Sequence, residues 1–356
     1  MIRFNPGAPR GVPPRFLSRL RSLAVPTAWG AVAVAYRLTC PLARDDALGA
    51  RLVSSAVLCA VGTGIVLHFR RRMLREVRHA RRIAEAAQSV LLRPPPPRVE
   101  GLAVAAVHLS ADRGARIGGD LYEVTATEHG VRAVIGDVRG HGLGAVRTGA
   151  AVLGSFREAA HDEKSLAGVL RRLERAMDRH LREWAHSGHP APDGAPAAEE
   201  FVTVLLLEIH PDGEVHALNC GHPWPYRLTG AGAGAEPLAH ADPLPPLGLF
   251  PLPGELPATA CGRLLPGDTL VLHTDGAEEA RDTDGRFFPL GDVLAEAVRD
   301  RPQTPQAVLR TVLTALLDHS VGPPKDDVAL LILRNERCSP PTRQTHGVSR
   351  SATADR

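Results

Sequence analysis

Lysine is almost missing from this chain. Lys164 and Lys325 are its only lysines, and neither stands in a glycine-rich phosphate loop. A P-loop NTPase or an ordinary protein kinase needs a lysine at such a position to hold phosphates, so both classes are excluded. Cysteine is also sparse: Cys40, Cys59, Cys220, Cys261 and Cys338 are scattered, odd in number and form no C-x-x-C pair. A disulfide framework or a cysteine zinc site is therefore not expected. Net charge is only +3 over 356 residues, and the positive excess lies before position 100. That distribution argues against a nucleic-acid partner.

The arginines that replace lysine mark out the first part of the chain. Residues 1–22 form a basic tail with Arg3, Arg10, Arg15, Arg19 and Arg21 among prolines. Two apolar runs follow, with spans expected at about 23–40 and 52–69 inside a membrane hairpin of residues 23–69. The second run, Leu52 to Phe69, has no charge and is closed by Arg70, Arg71 and Arg72; as a helix it would be roughly 27 Å long, close to the bilayer core. Both outer flanks are more basic than the link between the runs, so the positive-inside rule puts both ends in the cytoplasm. The expected location is the cell membrane, multi-pass, with the remainder of the chain cytoplasmic. A cleaved signal peptide followed by a buried helix fits less well, because the first run has no small-residue cleavage site and the second ends in stop-transfer arginines.

Residues 70–93 read as a helical linker, in which Leu74, Val77, Ala80, Ala84, Ala87 and Leu91 recur three or four apart. Such a seam is a candidate for a homodimer through the 74–91 helix, or for a passive spacer. Pro94 to Pro97 end it, since proline lacks the amide donor a helix needs. A soluble domain over 94–335 follows, in which strand-like runs (103–109, 131–138, 202–209, 269–273, 328–333) alternate with helix-like runs (143–160, 165–185, 290–298, 306–319). Taken alone, this alternation predicts α+β with many strands. Stretches 187–198 and 230–246 read as surface loops, and 336–356 as a disordered tail.

Four aspartates stand at strand ends or in glycine turns: Asp120 in GGDLYE, Asp137 in GDVRGHG, Asp275 in TDG and Asp326 in KDD. The strands 131–135 and 270–273 run straight into Gly or Thr and then Asp, which projects a carboxylate from the edge of a buried sheet. Such charges need counter-ions. An all-oxygen donor set suits Mg²⁺ or Mn²⁺, whereas sulfur or clustered histidine would suit zinc or iron. A single Asp-Gly pair is usually only a turn; four in order are far more specific.

These motifs, with TDG-x-x-EAR and KDDVALL, resemble the SpoIIE/RsbU group of the PPM metal-dependent serine/threonine phosphatases over roughly Leu91 to Leu333. Phe201-Val202-Thr203, Asn219-Cys220-Gly221-His222-Pro223 and Pro246-Leu247-Gly248 match in the same order. The resemblance implies a sandwich of two antiparallel sheets flanked by helices, with two metal ions at one end. It implies that Asp137 bridges the ions, that the Val138 carbonyl binds one of them, and that Asp120, Asp275 and Asp326 complete the cluster. Asp137 and Asp275 are thereby the expected catalytic residues. The implied substrate is a phosphorylated protein, an anti-sigma-factor antagonist of a bacterial partner-switching system. A phosphatase-like binding module and a two-metal hydrolase of small phosphoesters are the alternatives.

One departure is Glu123, where the group usually has aspartate, which puts its metal contact in question. His141 is read as a turn residue ahead of a general acid. His216, Cys220 and His222 are read as structural ahead of a metal site. Arg113 and Arg116 are candidates for steering a phosphoprotein by charge.

Overall fold

The computed structural model describes residues 56–57, 60–75, 91–110, 118–140, 142–187, 200–229, 234–299, 304–320 and 326–337. The first expected span, most of the 74–91 seam, His141, Arg113, Arg116 and Lys325 lie outside the described residues. The chain divides into two compact units, Met1–His79 and Ala80–Arg356.

In the first unit, residues 60–75 are helical. Val57, Val61, Val66, Leu67 and Phe69 are exposed there. Among the described residues no helix is long and apolar enough to cross a membrane.

Among the described residues the second unit has eleven strands in two antiparallel sheets. One sheet orders β1 (Arg98–Val99), β2 (Leu102–Leu109), β11 (Val328–Asn335), β10 (Thr269–His273), β7 (Tyr226–Leu228) and β8 (Ala235–Pro237). The other orders β3 (Asp120–Thr127), β4 (Gly130–Val138), β5 (Val202–Ile209), β6 (Glu214–Cys220) and β9 (Thr259–Arg263). The segment 230–246 thus contains a short strand, β8, whose alanine and glutamate pair with β7.

Strand alternation explains the layering, because successive side chains point to opposite faces. On β10 and β11, Leu270, Leu272, Ala329, Leu331 and Leu333 join Ile135, Leu205 and Leu207 of the second sheet in one core. The alternate residues Val271, Val328, Leu330 and Ile332 turn outward and pack on α4 (Leu290–Val298) and α5 (Pro305–His319). The outer face of the second sheet is covered by α1 (Leu143–Asp162) and α2 (Leu166–Ser187), through Val152, Phe156, Leu170 and Leu173. The result is a helix–sheet–sheet–helix sandwich. A charged group is buried in the helix-facing layer: Arg132 on β4 is fully buried and donates from Nη1 to the carbonyls of Ala160 and Glu163, closing the end of α1.

Two segment ends differ from the sequence reading. Glu336 and Arg337, the first two residues of the expected tail, are hydrogen-bonded to the domain. The Glu336 amide donates to the Gly101 carbonyl at 3.0 Å, and Arg337 donates to the carbonyls of Glu100 and His210 at 2.8 and 2.5 Å. They follow directly on β11, and these bonds hold them against the β1–β2 and β5–β6 turns. At the other end of the domain, Leu92 is buried and the Leu91 carbonyl accepts a hydrogen bond from Arg157 at 2.9 Å. The last leucine of the apolar seam therefore packs on its own domain.

Candidate metal centre

Asp120 and Asp137 face each other across the β3–β4 ladder as direct register partners. Both lie on the face that looks between the sheets, at the end of the apolar core. Asp275 opens the short helix α3 (Asp275–Glu278) immediately after β10, and Asp326 precedes β11. β10 and β11 are neighbours, with Thr274 amide donating to the Ala329 carbonyl at 3.1 Å. The ends of two antiparallel strand pairs, β3–β4 from one sheet and β10–β11 from the other, therefore bring all four predicted aspartates to one place.

Glycines make this convergence possible. A methyl group on Gly119 would lie 2.3 Å from the Val138 carbonyl oxygen and 2.6 Å from Asp137 Oδ1. One on Gly118 would lie 2.6 Å from the Asp327 carboxylate, and one on Gly276 2.0 Å from the Asp327 carbonyl oxygen. The two glycines of GGD and the glycine of TDG are thus places where only hydrogen fits. They draw the Val138 carbonyl, Asp137 and the start of β11 against the start of β3.

Among the described residues the electrostatics of the site are dominated by carboxylates acting on one another. Asp120 is only 4% exposed, and burial pushes its carboxyl well above the usual carboxylate range, reinforced by Asp137, Asp327 and Asp275. Asp137 is pushed up to about 8 by burial and by the charges of Asp275, Asp326 and Asp327. Asp275 is raised by burial and by Asp326 and Glu279. The Thr274 hydroxyl donates to Asp120 Oδ2 at 3.1 Å, and His108 Nε2 lies 3.9 Å from the same oxygen. Burial lowers the pKa of His108, so it is a weak counter-charge. Like charges gathered in a half-buried pocket favour a bound cation or protons. The donor set is carboxylate and carbonyl oxygen, which fits Mn²⁺ or Mg²⁺.

Asp327 is the residue that the sequence reading passed over. It stands beside Asp326 in a charged pair that reads as one turn, yet its charge acts on Asp120 and Asp137. Glu123 has the opposite outcome. It alternates away from Asp120 on β3, and Arg157 of α1 donates to its Oε2 from Nε and Nη2 at 3.0 and 2.6 Å. Its longer side chain serves that ion pair on the helix-facing side, away from the aspartates.

The remaining matched motifs brace the site. His222 is buried, and burial lowers its pKa to about 3, so its ring is neutral. Nε2 donates to the His273 carbonyl at 3.1 Å, which leaves Nδ1 to accept from the Thr203 hydroxyl at 3.0 Å. Thr203 is the register partner of Asp137, and His273 lies two residues before Asp275. One imidazole therefore ties β5, the ladder neighbour of the strand that carries Asp137, to β10, which runs into Asp275. Leu247 exchanges backbone hydrogen bonds with Val202 at 2.9 Å in both directions, fixing the start of β5. His216 and His222 do not converge with Cys220: His222 uses both ring nitrogens internally, and burial pushes the Cys220 thiol up to about 12.

A two-sheet sandwich with aspartates at its strand ends is the fold of PP2C-type phosphatase domains. The chain belongs to the family described as Stage II sporulation protein E (SpoIIE), whose sequence profile matches residues 127–336. Similar solved structures include the RsbU and RsbW domains of Rv1364c from Mycobacterium tuberculosis, at 24% identity and TM-score 0.53, covering 69% of this chain and 62% of that one. The SiaA-PP2C domain of Pseudomonas aeruginosa aligns at 18% identity and TM-score 0.52, covering 75% of this chain and 98% of that one. The PP2C phosphatase domain of SpoIIE from Bacillus subtilis, with a fragment of its regulatory domain, aligns at 15% identity and TM-score 0.50, covering 67% and 64%. At these identities the shared property is the fold. The chain spans less than two thirds of the first and third of these structures.

Proposed function

We propose that the chain is a membrane-anchored, metal-dependent phosphoprotein phosphatase acting on phosphoserine or phosphothreonine. The observation that carries this reading is the gathering of Asp120, Asp137, Asp275 and Asp326, with Asp327 and the Val138 carbonyl, around glycines that leave no room for a side chain. Two Mn²⁺ or Mg²⁺ ions held there would supply Lewis-acid activation of water and neutralise phosphoryl oxygens. Asp137, facing Asp120 across the ladder and next to the Val138 carbonyl, would hold the ions from one sheet. Asp275 and Asp326 supply the opposite wall from the other sheet. Thr274 holds one oxygen of Asp120 and thereby directs the other, while Thr203 and His222 fix the strand under Asp137. Among the described residues the pocket offers carboxylates and no nucleophilic serine or cysteine, which suits direct attack by water on phosphorus.

The family membership supports a phosphorylated anti-sigma-factor antagonist as substrate within a partner-switching system. The apolar run 52–69 and the exposed Val57, Val61, Val66 and Leu67 support anchoring in the cell membrane, with the catalytic unit in the cytoplasm. The decisive experiment uses the unit Ala80–Arg356 with a phosphoserine protein and with nucleotide or p-nitrophenyl esters. Mn²⁺ or Mg²⁺ should restore phosphoprotein turnover after chelation and Zn²⁺ should not, and Asp137→Asn should abolish turnover while leaving the melting transition in place. Full activity in excess chelator, or in the Asn variant, would overturn the assignment; faster turnover of nucleotides would redirect it to small phosphoesters.

A further inference from the structure

We propose that Glu208, His210 and His216 form a second metal site, of the Zn²⁺ class, on the β5–β6 hairpin and separate from the aspartate centre. The three side chains present ligand atoms that all lie within 4.8 Å of one another. Their convergence follows from the ladder. Glu208 and His216 are direct register partners on β5 and β6, and His210 lies two residues beyond Glu208 on the same face. The turn Pro211-Asp212-Gly213 joins them, with the His210 amide bonded to the Glu214 carbonyl at 2.9 Å. Glu208 lies five positions along β5 from Thr203, the partner of Asp137, which puts this cluster roughly 16 Å from the aspartates at the other end of the strand. It also faces the helices and not the space between the sheets.

The carboxylate is pre-set for a ligand role. Buried Arg132 approaches Glu208 Oε2 with both Nε, at 2.6 Å, and Nη2, at 2.5 Å. That leaves Oε1 directed at His210 Nε2, 3.1 Å away. Two donors on one tetrahedral Zn²⁺, each at about 2.0–2.1 Å, are separated by about 3.3 Å, so this pair needs little movement to take up a shared cation. The rings of His210 and His216 stand at 78° with centroids 5.2 Å apart, one edge toward the other's face. The site is reachable: the imidazoles are 31% and 30% exposed, while the carboxylate is 8% exposed. Glu214 lies 3.2 Å from His216 Nε2 and supplies an outer carboxylate at the rim. Two imidazoles and one carboxylate select a borderline cation over Mg²⁺, so the two centres differ in the metal they hold. Three protein ligands leave the fourth position to water, and the expected effect is to cross-brace the hairpin.

The test uses the full-length chain in detergent with Asp137→Asn present, so that the aspartate centre is disabled. After equilibration with buffered micromolar Zn²⁺ and desalting, elemental analysis should find about one Zn²⁺ per chain, and Co²⁺ should give the visible bands of a nitrogen-ligated site. His210→Ala/His216→Ala should lower retention at least about tenfold, and should abolish the rise in melting temperature that Zn²⁺ gives the parent. Melting in chelator should be unchanged, because both imidazoles are partly exposed. If the double variant melts abnormally in chelator, His216→Gln alone is measured in the same way. Retention of zinc by these variants at the parent's level, or no retention by the parent, would overturn the proposal. Either result leaves the phosphatase reading where it stands.

Discussion

Replacing Gly119 with alanine tests whether the aspartate centre depends on the close approach of β3 to the end of β4. The new methyl would sit 2.3 Å from the Val138 carbonyl oxygen and 2.6 Å from Asp137 Oδ1, whereas ordinary carbon–oxygen contacts are about 3.3 Å or longer. About 1 Å of overlap must be relieved, and neither neighbour is free to give. The Val138 amide is bonded to the Gly119 carbonyl at 3.1 Å, and Val138 itself is 1% exposed. Overpacking of this kind costs about 1–3 kcal/mol. In a domain of this size each kcal/mol lowers the melting temperature by roughly 2–4 °C. Displacing two ligand oxygens also exceeds the ~0.2 Å tolerance of a metal site, so half-saturation should need on the order of 10–100 times more Mn²⁺. The assay is a melting curve in chelator paired with a Mn²⁺ titration of phosphopeptide turnover. Gly154→Ala is the control: nothing lies within 4 Å of its methyl position in the middle of α1, so it should stabilise by about 0.5–1 kcal/mol and leave the titration unchanged. Wild-type melting together with wild-type Mn²⁺ dependence in Gly119→Ala would refute the reasoning.

Three other outcomes follow from the same geometry. Without metal, the folded-state pKa values of Asp120, Asp137 and Asp275 exceed those of an unfolded carboxylate, with Asp137 near 8. The resulting stabilisation is complete below about pH 4 and lost as pH rises through about 8, so the melting temperature in chelator should fall over that window. Asp137→Asn should flatten the slope; a chelated protein that is most stable at pH 8 would contradict the assignment. Arg132→Leu leaves Glu208 buried without its partner and should cost about 3–5 kcal/mol, read as a lower urea midpoint at unchanged slope; a loss below about 1 kcal/mol would show that the pair is not coupled to the fold. The full chain should fractionate with membranes and residues 73–356 should be soluble, whereas a full chain that is soluble without detergent would remove the anchor.

Much of this architecture is written in local pattern. The runs 202–209, 269–273 and 290–298 coincide with β5, β10 and α4, because buried strands and an apolar helix face leave strong periodic signals. Asp137 and Asp275 stood out because each follows such a run through glycine or threonine. β3 carried no comparable signal: DLYEVTAT mixes a charged pair and threonines with its apolar face, so only its GGD turn was visible. β6, β7 and β9 were not among the strand-like runs, and the three-residue β8 falls inside the stretch 230–246 that reads as a surface loop. Asp327 was hidden by its neighbour, and Glu123 was misleading because the partner that claims it, Arg157, lies on a helix 34 positions away. Glu208, His210 and His216 become a set only when the β5–β6 register is known.

The position of β11 bears on when the protein becomes competent. This strand, late in the chain, sits in the middle of its sheet between β2 and β10, and the residues that follow it close back on Glu100, 237 positions earlier. During synthesis, β3 and β4 can pair and bring Asp120 against Asp137 long before Asp326 and Asp327 leave the ribosome. Until β11 inserts, the first sheet is split and the aspartate centre has only part of its ligands. Long-range strand pairing of this kind is intrinsically slow. On the proposed function, a nascent chain, or one clipped before β11, would be silent toward phosphoproteins until β11 is in place.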